Sequence, residues 1–346
     1  KNFFANTNSL HKLGQESKFM LDKATNEIKD ILGLKHKIIY TTNATEANNL
    51  GIFGVVEKFN GGKVITTKIE HPSVYEVYKS LEEKGYEVVY LDVDENGIIN
   101  LDELKHELNK DVLLVSIMWV NNIVGSIQPI NEVIKLVKQY PKVKLHIDAV
   151  QGICKIRNDF DFNDIDILTF SGHKLFAPKG IGVLAVKENL ELNSRLFGAK
   201  NQYGIKPGTL DLALVASLCK AIKIMYPKLD SHYEYVLKLN KYLREKLKTH
   251  KQIIINSKEN SSPYIFNISI PKVQGETVVH LLEEEDIYVS TGSACSSKLK
   301  KPEKTIYAMT KSLELATSSI RISLSHLTTY EDIEKLVKVL EKLEYV

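Results

Sequence analysis

The chain has 346 residues, of which 43% are hydrophobic and 26% are charged, values typical of a globular protein with two domains or one large one. Its net charge of +3 is small for this length, so the composition gives no reason to expect binding to nucleic acid or to an anionic membrane. Three well-separated cysteines and the lack of any long apolar run argue against a disulfide scaffold or a membrane-spanning helix, and they favour a reducing, cytoplasmic compartment.

Hydrophobic periodicity predicts alternating strands and helices through the first part of the chain. A helix is predicted from His11 to Gly33, where an apolar stripe ends at a glycine. The further predicted strands are 37–41, 63–67, 86–91, 112–119, 144–148, 166–170 and 183–186, and the further predicted helices are 45–59, 74–83 and 101–108. Because strands that alternate with helices usually form a parallel sheet, we predict an α/β fold with a mostly parallel sheet.

A second region follows a long helical stretch from Leu210 to about Lys248, which is broken near Pro227. Its predicted strands are 252–256, 264–270, 287–290 and 320–324, and its predicted helices are 275–284 and 329–343. We therefore predict a large domain over residues 10–225 and a smaller α+β domain over residues 226–346, with residues 1–9 packing near the smaller domain.

The segment from Phe170 to Gly182, Phe-Ser-Gly-His-Lys-Leu-Phe-Ala-Pro-Lys-Gly-Ile-Gly, carries the strongest chemical signal. A predicted strand delivers Ser171, His173 and Lys174 into a turn. A lysine held at a strand end beside apolar walls is desolvated, which favours the neutral amine that a Schiff-base lysine needs. On residue type alone Lys174 would be a surface lysine, but the neighbouring hydroxyl and imidazole favour the functional interpretation.

Other polar side chains also lie where predicted strands end. Asp148 ends the strand 144–148, at the edge where parallel sheets bind ligands, although it could simply cap the following turn. Asn43-Ala-Thr-Glu46 opens a helix whose N–H groups and dipole can hold a phosphate, although capping is the commoner role. His71 lies in a strand-to-helix loop, where it could be no more than a hydrogen-bonded cap.

The three cysteines differ in their surroundings. Cys154 and Cys219 lie among apolar residues and are interpreted as buried packing residues. Cys295 lies instead in Ser290-Thr-Gly-Ser-Ala-Cys-Ser-Ser297, a loop built almost wholly of small residues, where a thiol has nothing to pack against. Isolated cysteines are usually core residues, so a functional role for Cys295 is inferred only from the composition of this loop.

These motifs together resemble a known family. Ser171-Gly-His-Lys174 followed by Pro178-Lys-Gly-Ile-Gly182 resembles the cofactor-lysine segment of the class V aminotransferases, which use pyridoxal phosphate (PLP), and the cysteine desulfurases are the best match among them. The resemblance runs from about Asn8 to about Thr329, with its motifs in the family's order. It implies the type I aminotransferase fold and a homodimer that uses PLP and no metal.

The resemblance also implies a role for individual residues toward PLP. Lys174 would bind the cofactor covalently, Asp148 would keep the ring nitrogen protonated, and His71 would stack on the ring. The remaining implied cofactor contacts are Asn122, Gln151, Ala44, Thr45, Ser171, His173 and, from the other subunit, Thr209.

The implied substrate chemistry falls on a second set of residues. Arg321, in Ser319-Ile-Arg-Ile-Ser323, matches the family's clamp for the substrate carboxylate, although it could be a strand-edge surface arginine, and Asn122 would also contact the substrate. Cys295 matches the catalytic cysteine of group I desulfurases, whose extended loop carries sulfur to partner proteins. Lys174 would move protons, with His71 or His173 assisting.

The sequence departs from the family's pattern at several positions. Trp119 and Ile123 replace polar residues beside Asn122, which we expect to make the pocket wall more apolar. Lys206 and Pro207 replace an arginine and a serine before Thr209. The chain starts at Lys1 without the family's N-terminal segment, and we expect further residues upstream.

The function implied is conversion of L-cysteine to L-alanine with a persulfide on Cys295. The sulfur would pass to an acceptor protein for iron–sulfur clusters, thio-cofactors or thiolated tRNA, without direct contact to nucleic acid or a membrane. Two alternatives stay open. One is another class V PLP enzyme, such as a selenocysteine lyase or an aminotransferase. The other is a non-catalytic paralogue that serves as a binding partner in sulfur transfer.

Overall fold

The structure, a computed structural model, describes residues 3–292 and 302–342 in two compact units. The first unit comprises the residues up to 90 together with 101–119 and 130–228. The second comprises 91–100, 120–129 and the residues from 229 onward.

The first unit is built on a seven-stranded sheet with the order β1-β7-β6-β5-β4-β2-β3. Its strands are β1 (Lys37–Thr41), β2 (Lys63–Thr67), β3 (Glu87–Leu91), β4 (Val112–Met118), β5 (Lys144–Asp148), β6 (Ile167–Ser171) and β7 (Gly182–Val186). The pairs β2–β4, β4–β5 and β5–β6 are parallel, whereas β7 runs antiparallel to both β6 and β1. The predicted α/β fold with a mostly parallel sheet is confirmed, and the ends of β4, β5 and β6 share one edge.

Six α-helices of the described first unit flank this sheet. They are α1 (Lys12–Leu32), α2 (Ala44–Val56), α3 (Pro72–Glu83), α4 (Leu101–Glu107), α5 (Ile130–Val137) and α6 (Leu212–Met225). The ends of α1 follow the predicted signals: the Nδ1 atom of His11 accepts the N–H of Gly14 at 3.2 Å, and Gly33 ends the helix at φ 68°. The short helix α5 was not predicted.

Helix α2 lies close to the middle of the sheet, which brings its first turns to the edge where β5 and β6 end. A Cβ atom on Gly51 would lie 3.1 Å from side-chain carbons of Ile167 and Leu184, so the glycine allows close packing on β6 and β7. The helix is buried along most of its length, in a cluster with Leu114 and Val186.

The second unit contains a three-stranded antiparallel sheet with the order β10-β9-β8. Its strands are β8 (Ile254–Ile255), β9 (Ile265–Ser269) and β10 (Ser319–Ser323), and its helices are α7 (Leu229–Leu247), α8 (Gly275–Glu283), α9 (Lys304–Thr310), α10 (Leu313–Thr317) and α11 (Tyr330–Lys342). The predicted strand 287–290 is wrong: only Ser290 forms an isolated bridge, to Arg321. The N–H of Ile287 instead bonds the carbonyl of Leu282, as part of the turn that ends α8.

The unit boundaries differ in two ways from the domains predicted at residues 10–225 and 226–346. The second unit also takes up residues 91–100 and 120–129. These two segments are joined to each other by the amide of Gln128, which donates to Gly97 O at 2.7 Å and accepts from Ile99 N–H at 3.0 Å. The carbonyl of Gly125 further accepts the N–H of Ser262 at 2.8 Å. Residues 3–9 group with the first unit, not with the smaller domain as predicted. Local sequence patterns do not reveal such contacts between distant segments.

In residues 3–292 and 302–342, no helix is long and apolar enough to cross a membrane. The same residues hold no cluster of three or more His, Cys, Asp or Glu side chains suited to a metal ion.

Candidate active site

Strand β5 ends at Asp148, a residue that is only 5% exposed. Its carboxylate is therefore buried. The Oδ2 atom accepts the Nδ2–H of Asn48 at 3.0 Å, and Oδ1 accepts the N–H of Val150 at 3.0 Å. Burial raises the pKa of Asp148, and these two hydrogen bonds oppose that shift only in part. Both donors are neutral, so the site favours a cationic partner for the carboxylate.

The predicted cofactor lysine lies on a single turn of 3-10 helix between β6 and β7. The turn spans Gly172–Leu175, and Lys174 is half-buried there. The N–H of Gly172 bonds the carbonyl of Ile181 at 2.9 Å, and a Cβ on Gly172 would lie 2.6 Å from the side chain of Ile181. The glycine therefore allows the turn to close tightly at the sheet edge where β5 also ends.

The two polar neighbours of Lys174 are bonded to each other. The Oγ of Ser171, the last residue of β6, lies 2.8 Å from Nδ1 of His173. Partial burial lowers the pKa of His173, and the positive charges of Lys174, Lys179 and Lys155 lower it further. The imidazole is therefore held in its neutral form near neutral pH, ready to accept a proton or a hydrogen bond.

The turn after β5 presents an oriented amide. The Oε1 of Gln151 accepts a hydrogen bond from Nζ of Lys155 at 2.7 Å. With its oxygen engaged, the amide offers its NH₂ group as a donor. The contact to the phenolic oxygen of PLP that the family resemblance implies for Gln151 stays a prediction.

The start of α2 has the geometry of an anion site. The Oδ1 of Asn43 accepts the N–H of Glu46 at 2.9 Å, and the Glu46 carboxylate accepts the N–H of Thr42 at 2.6 Å. Asn43 therefore caps the helix, and Glu46 binds the residue that precedes the cap. The N–H groups of Ala44 and Thr45 have no acceptor inside the helix, and they lie at the positive end of its dipole.

Lys206 lies against this helix start. Its Nζ atom is 3.0 Å from Oε1 of Glu46. Burial would raise the pKa of Glu46, but hydrogen bonds from Thr42 and Lys206 outweigh it and lower the pKa. Thr209 is exposed at the rim of a cavity of about 250 Å³ that Thr42 and Lys206 also line. The expected role of Thr209 in a second subunit stays a prediction.

His71 caps helix α3 and connects to Asp148 through two further side chains. Its Nδ1 atom accepts the N–H of Ser73 at 3.1 Å and lies 2.8 Å from the Ser73 hydroxyl. That hydroxyl accepts the Nδ2–H of Asn48 at 2.8 Å, and the same amide binds Asp148. Sequence reasoning missed Asn48, which is fully buried. The signal in the sequence was a polar residue next to Ala47 in an otherwise apolar helix, because a buried asparagine needs hydrogen-bond partners.

The second unit contains the predicted carboxylate-binding arginine. Arg321 lies in β10, where its N–H bonds the carbonyl of Ser290 at 2.6 Å. Its Nη1 atom donates to the carbonyl of Asn122 at 2.9 Å, and burial lowers the pKa of the guanidinium. Among the described residues the buried Nε–H has no hydrogen-bond partner. A buried donor of this kind favours an acceptor supplied by a ligand.

Trp119 does not have the surroundings that the sequence suggested. Its indole ring is buried and packs edge-on against Phe160 and Phe162, with ring centroids 5.1 and 5.9 Å away. A Cβ on Gly152 would lie 2.1 Å from this ring. Within the first unit Trp119 is thus a core residue that supports the turn after β5.

The cysteines of the described part are buried, as predicted for Cys154 and Cys219. Burial raises the pKa of Cys154 to about 12 and that of Cys219 to about 11, so both thiols are unreactive near neutral pH. Cys295, the predicted catalytic cysteine, lies outside the described residues.

The structure thus brings most of the predicted cofactor residues to one edge of the first unit. Asp148 and Ser171 end β5 and β6, and Gln151, His173 and Lys174 lie in the turns that follow. Asn48 of α2 contacts this edge through its hydrogen bond to Asp148. Asn122 and Arg321 are joined within the second unit.

Comparison with known proteins identifies relatives over nearly the whole chain. The sequence profile of the family described as "Aminotransferase class-V" matches residues 1–336. The chain is 36% identical to a NifS/IcsS protein homolog from Lactobacillus delbrueckii subsp. bulgaricus, over 98% of this chain and 90% of that protein. It is also 36% identical to the cysteine desulfurase IscS of Dictyoglomus turgidum, over 99% of this chain and 88% of that protein.

Solved structures show the same similarity. A NifS-like protein superposes with a TM-score of 0.92 at 31% identity, covering 100% of this chain and 93% of the other. SspA in complex with cysteine superposes with a TM-score of 0.82 at 29% identity, covering 95% of this chain and 93% of the other.

Proposed function

Because the chain belongs to the class V aminotransferase family, we propose that it is a PLP-dependent cysteine desulfurase. The observation that supports this most is the buried Asp148 carboxylate at the sheet edge that also bears the Lys174 turn. Relatives named cysteine desulfurase, similar over almost the full chain, support the choice of reaction within the family.

The chemistry of the donor set in the first unit fits PLP. The two groups that donate hydrogen bonds to Asp148 are neutral. A protonated pyridine nitrogen would add the positive charge that stabilises the buried carboxylate. The N–H groups at the start of α2 would bind the phosphate, and the NH₂ of Gln151 would bind the phenolic oxygen. The residues we assign to PLP are Lys174, Asp148, His71, Gln151, Asn122, Ala44, Thr45, Ser171, His173 and, from the second subunit of a homodimer, Thr209.

When bound, PLP supplies an electron sink that weakens bonds at the substrate's α and β carbons. Arg321 would bind the carboxylate of L-cysteine. Its Nη1 atom is held by the carbonyl of Asn122, while its Nε–H has no partner among the described residues. Lys174 would accept and return protons, assisted by the neutral imidazole of His173 or by His71.

Cys295 would take the sulfur. Its thiolate attacks the substrate sulfur, the carbon–sulfur bond of cysteine breaks, and a persulfide forms on Cys295 while the remaining carbon skeleton is protonated and released as L-alanine. The persulfide sulfur would then pass to an acceptor protein that serves iron–sulfur cluster, thio-cofactor or thiolated-tRNA synthesis. We place this chemistry in the cytoplasm, where a reactive thiol stays reduced.

The test is incubation of the purified chain with PLP, L-cysteine and a reductant, with alanine and sulfide measured together. A desulfurase yields both in equal amounts, and Cys295→Ser abolishes both. Alanine from selenocysteine but not from cysteine would identify a selenocysteine lyase, and amino-group transfer to a keto acid would identify an aminotransferase. Absence of a PLP absorption band would identify a non-catalytic paralogue.

A further inference from the structure

A continuous chain of buried hydrogen bonds lies behind the sheet edge of the first unit. The chain runs from Tyr78 through Ser116, His146 and Thr169 to Asn48. There it divides into one branch to Asp148 and another through Ser73 to His71. All links but one join side chains on different elements; the link between Ser73 and His71 lies within the first turn of α3. The direction of every bond can be assigned from the number of protons that each group carries.

The assignment begins at Asn48, whose amide nitrogen has two hydrogens. One binds Oδ2 of Asp148 at 3.0 Å and the other binds Oγ of Ser73 at 2.8 Å. The amide oxygen therefore faces the hydroxyl of Thr169, 2.5 Å away. An amide oxygen can only accept, so Thr169 is the donor.

The next links follow from the single proton of each hydroxyl group. Because the Thr169 proton is used, Nε2 of His146, 3.1 Å away, donates to Thr169. Burial lowers the pKa of His146 to about 3, so the ring is neutral and Nδ1 is an acceptor. Ser116 donates to that Nδ1 at 3.0 Å and accepts from the hydroxyl of Tyr78 at 2.7 Å.

The other branch leads to His71. Since the Ser73 hydroxyl accepts from Asn48, its own proton points to Nδ1 of His71 at 2.8 Å. That Nδ1 also accepts the N–H of Ser73 at 3.1 Å. The proton of a neutral His71 is therefore on Nε2.

We propose that Asn48 is a positioning residue that couples Asp148 and His71, and that the bonds from Tyr78 to Thr169 fix the orientation of its amide. This role rests on the proposed function, in which Asp148 and His71 contact the PLP ring. A reversed Asn48 amide would turn its oxygen toward the Asp148 carboxylate, so that two acceptors would face each other. The Thr169 donor stabilises the orientation in which Asn48 donates to both branches.

A pair of substitutions at Thr169 tests this coupling. Thr169→Val is nearly isosteric and removes the donor to Asn48, whereas Thr169→Ser keeps a hydroxyl. We expect the valine variant to raise the dissociation constant of PLP about threefold to tenfold, and the serine variant to restore it. Without PLP, ¹⁵N NMR of His71 should change in the valine variant from the Nε2–H tautomer to a mixture.

A second pair compares neighbouring asparagines. Asn48→Leu should raise the dissociation constant of PLP about tenfold to a hundredfold, because a buried carboxylate loses a donor. Asn49→Leu is the matched control, since within the described part of the chain the Asn49 amide donates only to the carbonyl of Thr45 in its own helix, at 2.9 Å. Equal PLP affinity in the two variants would overturn the proposal.

The tautomer of His146 gives a test that needs no substitution and no cofactor. We expect ¹⁵N NMR of the unsubstituted protein to show a neutral ring with its proton on Nε2. A proton on Nδ1, a charged ring, or a His71 signal unchanged by Thr169→Val would refute the directed chain. Failure of the protein to bind PLP at all would instead refute the proposed function, while the NMR result would still decide the direction of the chain.

Discussion

The ammonium group of Lys206 lies 3.0 Å from Oε1 of Glu46, so that the glycine-rich segment after β7 is tied to the first turn of α2. By sequence Lys206 was a departure from the family's pattern without an assigned role. Its ion pair now gives it one, because Glu46 also accepts the N–H of Thr42, next to the capping residue Asn43. Lys206 thus helps to hold the helix start that we assign to the phosphate.

Loss of this ion pair should destabilise the fold modestly. We expect Lys206→Met to lower the free energy of unfolding by about 1 kcal/mol, since both partners are mostly buried, and Lys206→Arg to keep most of it. Urea unfolding measures the change. Lys200→Met, at an exposed lysine of the same segment, is the control, and equal losses in the two methionine variants would contradict the assignment.

Lys174 should be the residue that becomes attached to PLP. Borohydride treatment of the yellow protein followed by peptide mass spectrometry should find the cofactor on Lys174 alone. Lys174→Ala should bind PLP only reversibly, whereas Lys179→Ala, at an exposed neighbour, should still retain the cofactor covalently. Attachment to another lysine would show that the assignment is wrong.

Asp148 should make the PLP-free protein less stable as the pH rises. Its pKa is raised in the folded state, so the folded chain binds the proton more tightly than the unfolded chain does. The stabilisation is complete below the ordinary aspartate pKa, near 3.9, and is lost as the pH rises through the raised value. The stability of wild type relative to Asp148→Asn should therefore fall across this window in urea unfolding.

Bound PLP should reduce that fall, because a ring cation stabilises the ionised carboxylate. Asp148→Asn should also lower kcat about tenfold to a hundredfold, because the ring nitrogen loses its counter-charge. A variant with wild-type turnover and an unchanged pH dependence would remove Asp148 from the site.

Arg321 should determine the affinity for L-cysteine. Arg321→Lys keeps the charge but loses the planar fork, so KM should rise about tenfold or more. Arg244→Lys is the control: Arg244 binds Asn240 Oδ1 and Lys258 O, both at 2.9 Å, within the same unit. That variant should lose stability and keep its KM. An unchanged KM in Arg321→Lys together with a raised KM in Arg244→Lys would show that Arg321 does not bind the substrate carboxylate.

Cys295 separates a desulfurase from other PLP enzymes. Cys295→Ser should still bind PLP and cysteine, seen as a shift of the absorption band, but should release almost no sulfide or alanine, because a serine hydroxyl is a weak nucleophile at neutral pH. Mass spectrometry should find a persulfide on Cys295 of the wild type. Cys154→Ser and Cys219→Ser should stay active if they fold. Normal sulfide production by Cys295→Ser would exclude this mechanism.

The elements that the sequence alone determined are those with signals inside a few consecutive residues. The bounds of β1, β2 and β5 agree with prediction. β1 and β2 are rich in β-branched and apolar residues, and β5 alternates polar and apolar ones, which is the period of a strand. Helix α1 was found from its periodicity and from Gly33. The fold class followed from the alternation of such elements. By contrast, residues 287–290 have a strand-like composition but do not form a strand. The N–H of Ile287 instead donates to the carbonyl of Leu282 at the end of α8.

The links between site residues depended on tertiary structure. Asn48 and Asp148 are 100 positions apart in sequence, and nothing local to either residue indicates that they share a hydrogen bond. The same is true of Lys206 and Glu46, and of Gln128, which joins residues 120–129 to residues 91–100. Composition and periodicity report how a residue relates to its own helix or strand. Contacts between different elements depend on how the whole chain packs. The hydrogen bonds from the buried amide of Asn48 to Asp148 and Ser73 are therefore seen only in the tertiary structure.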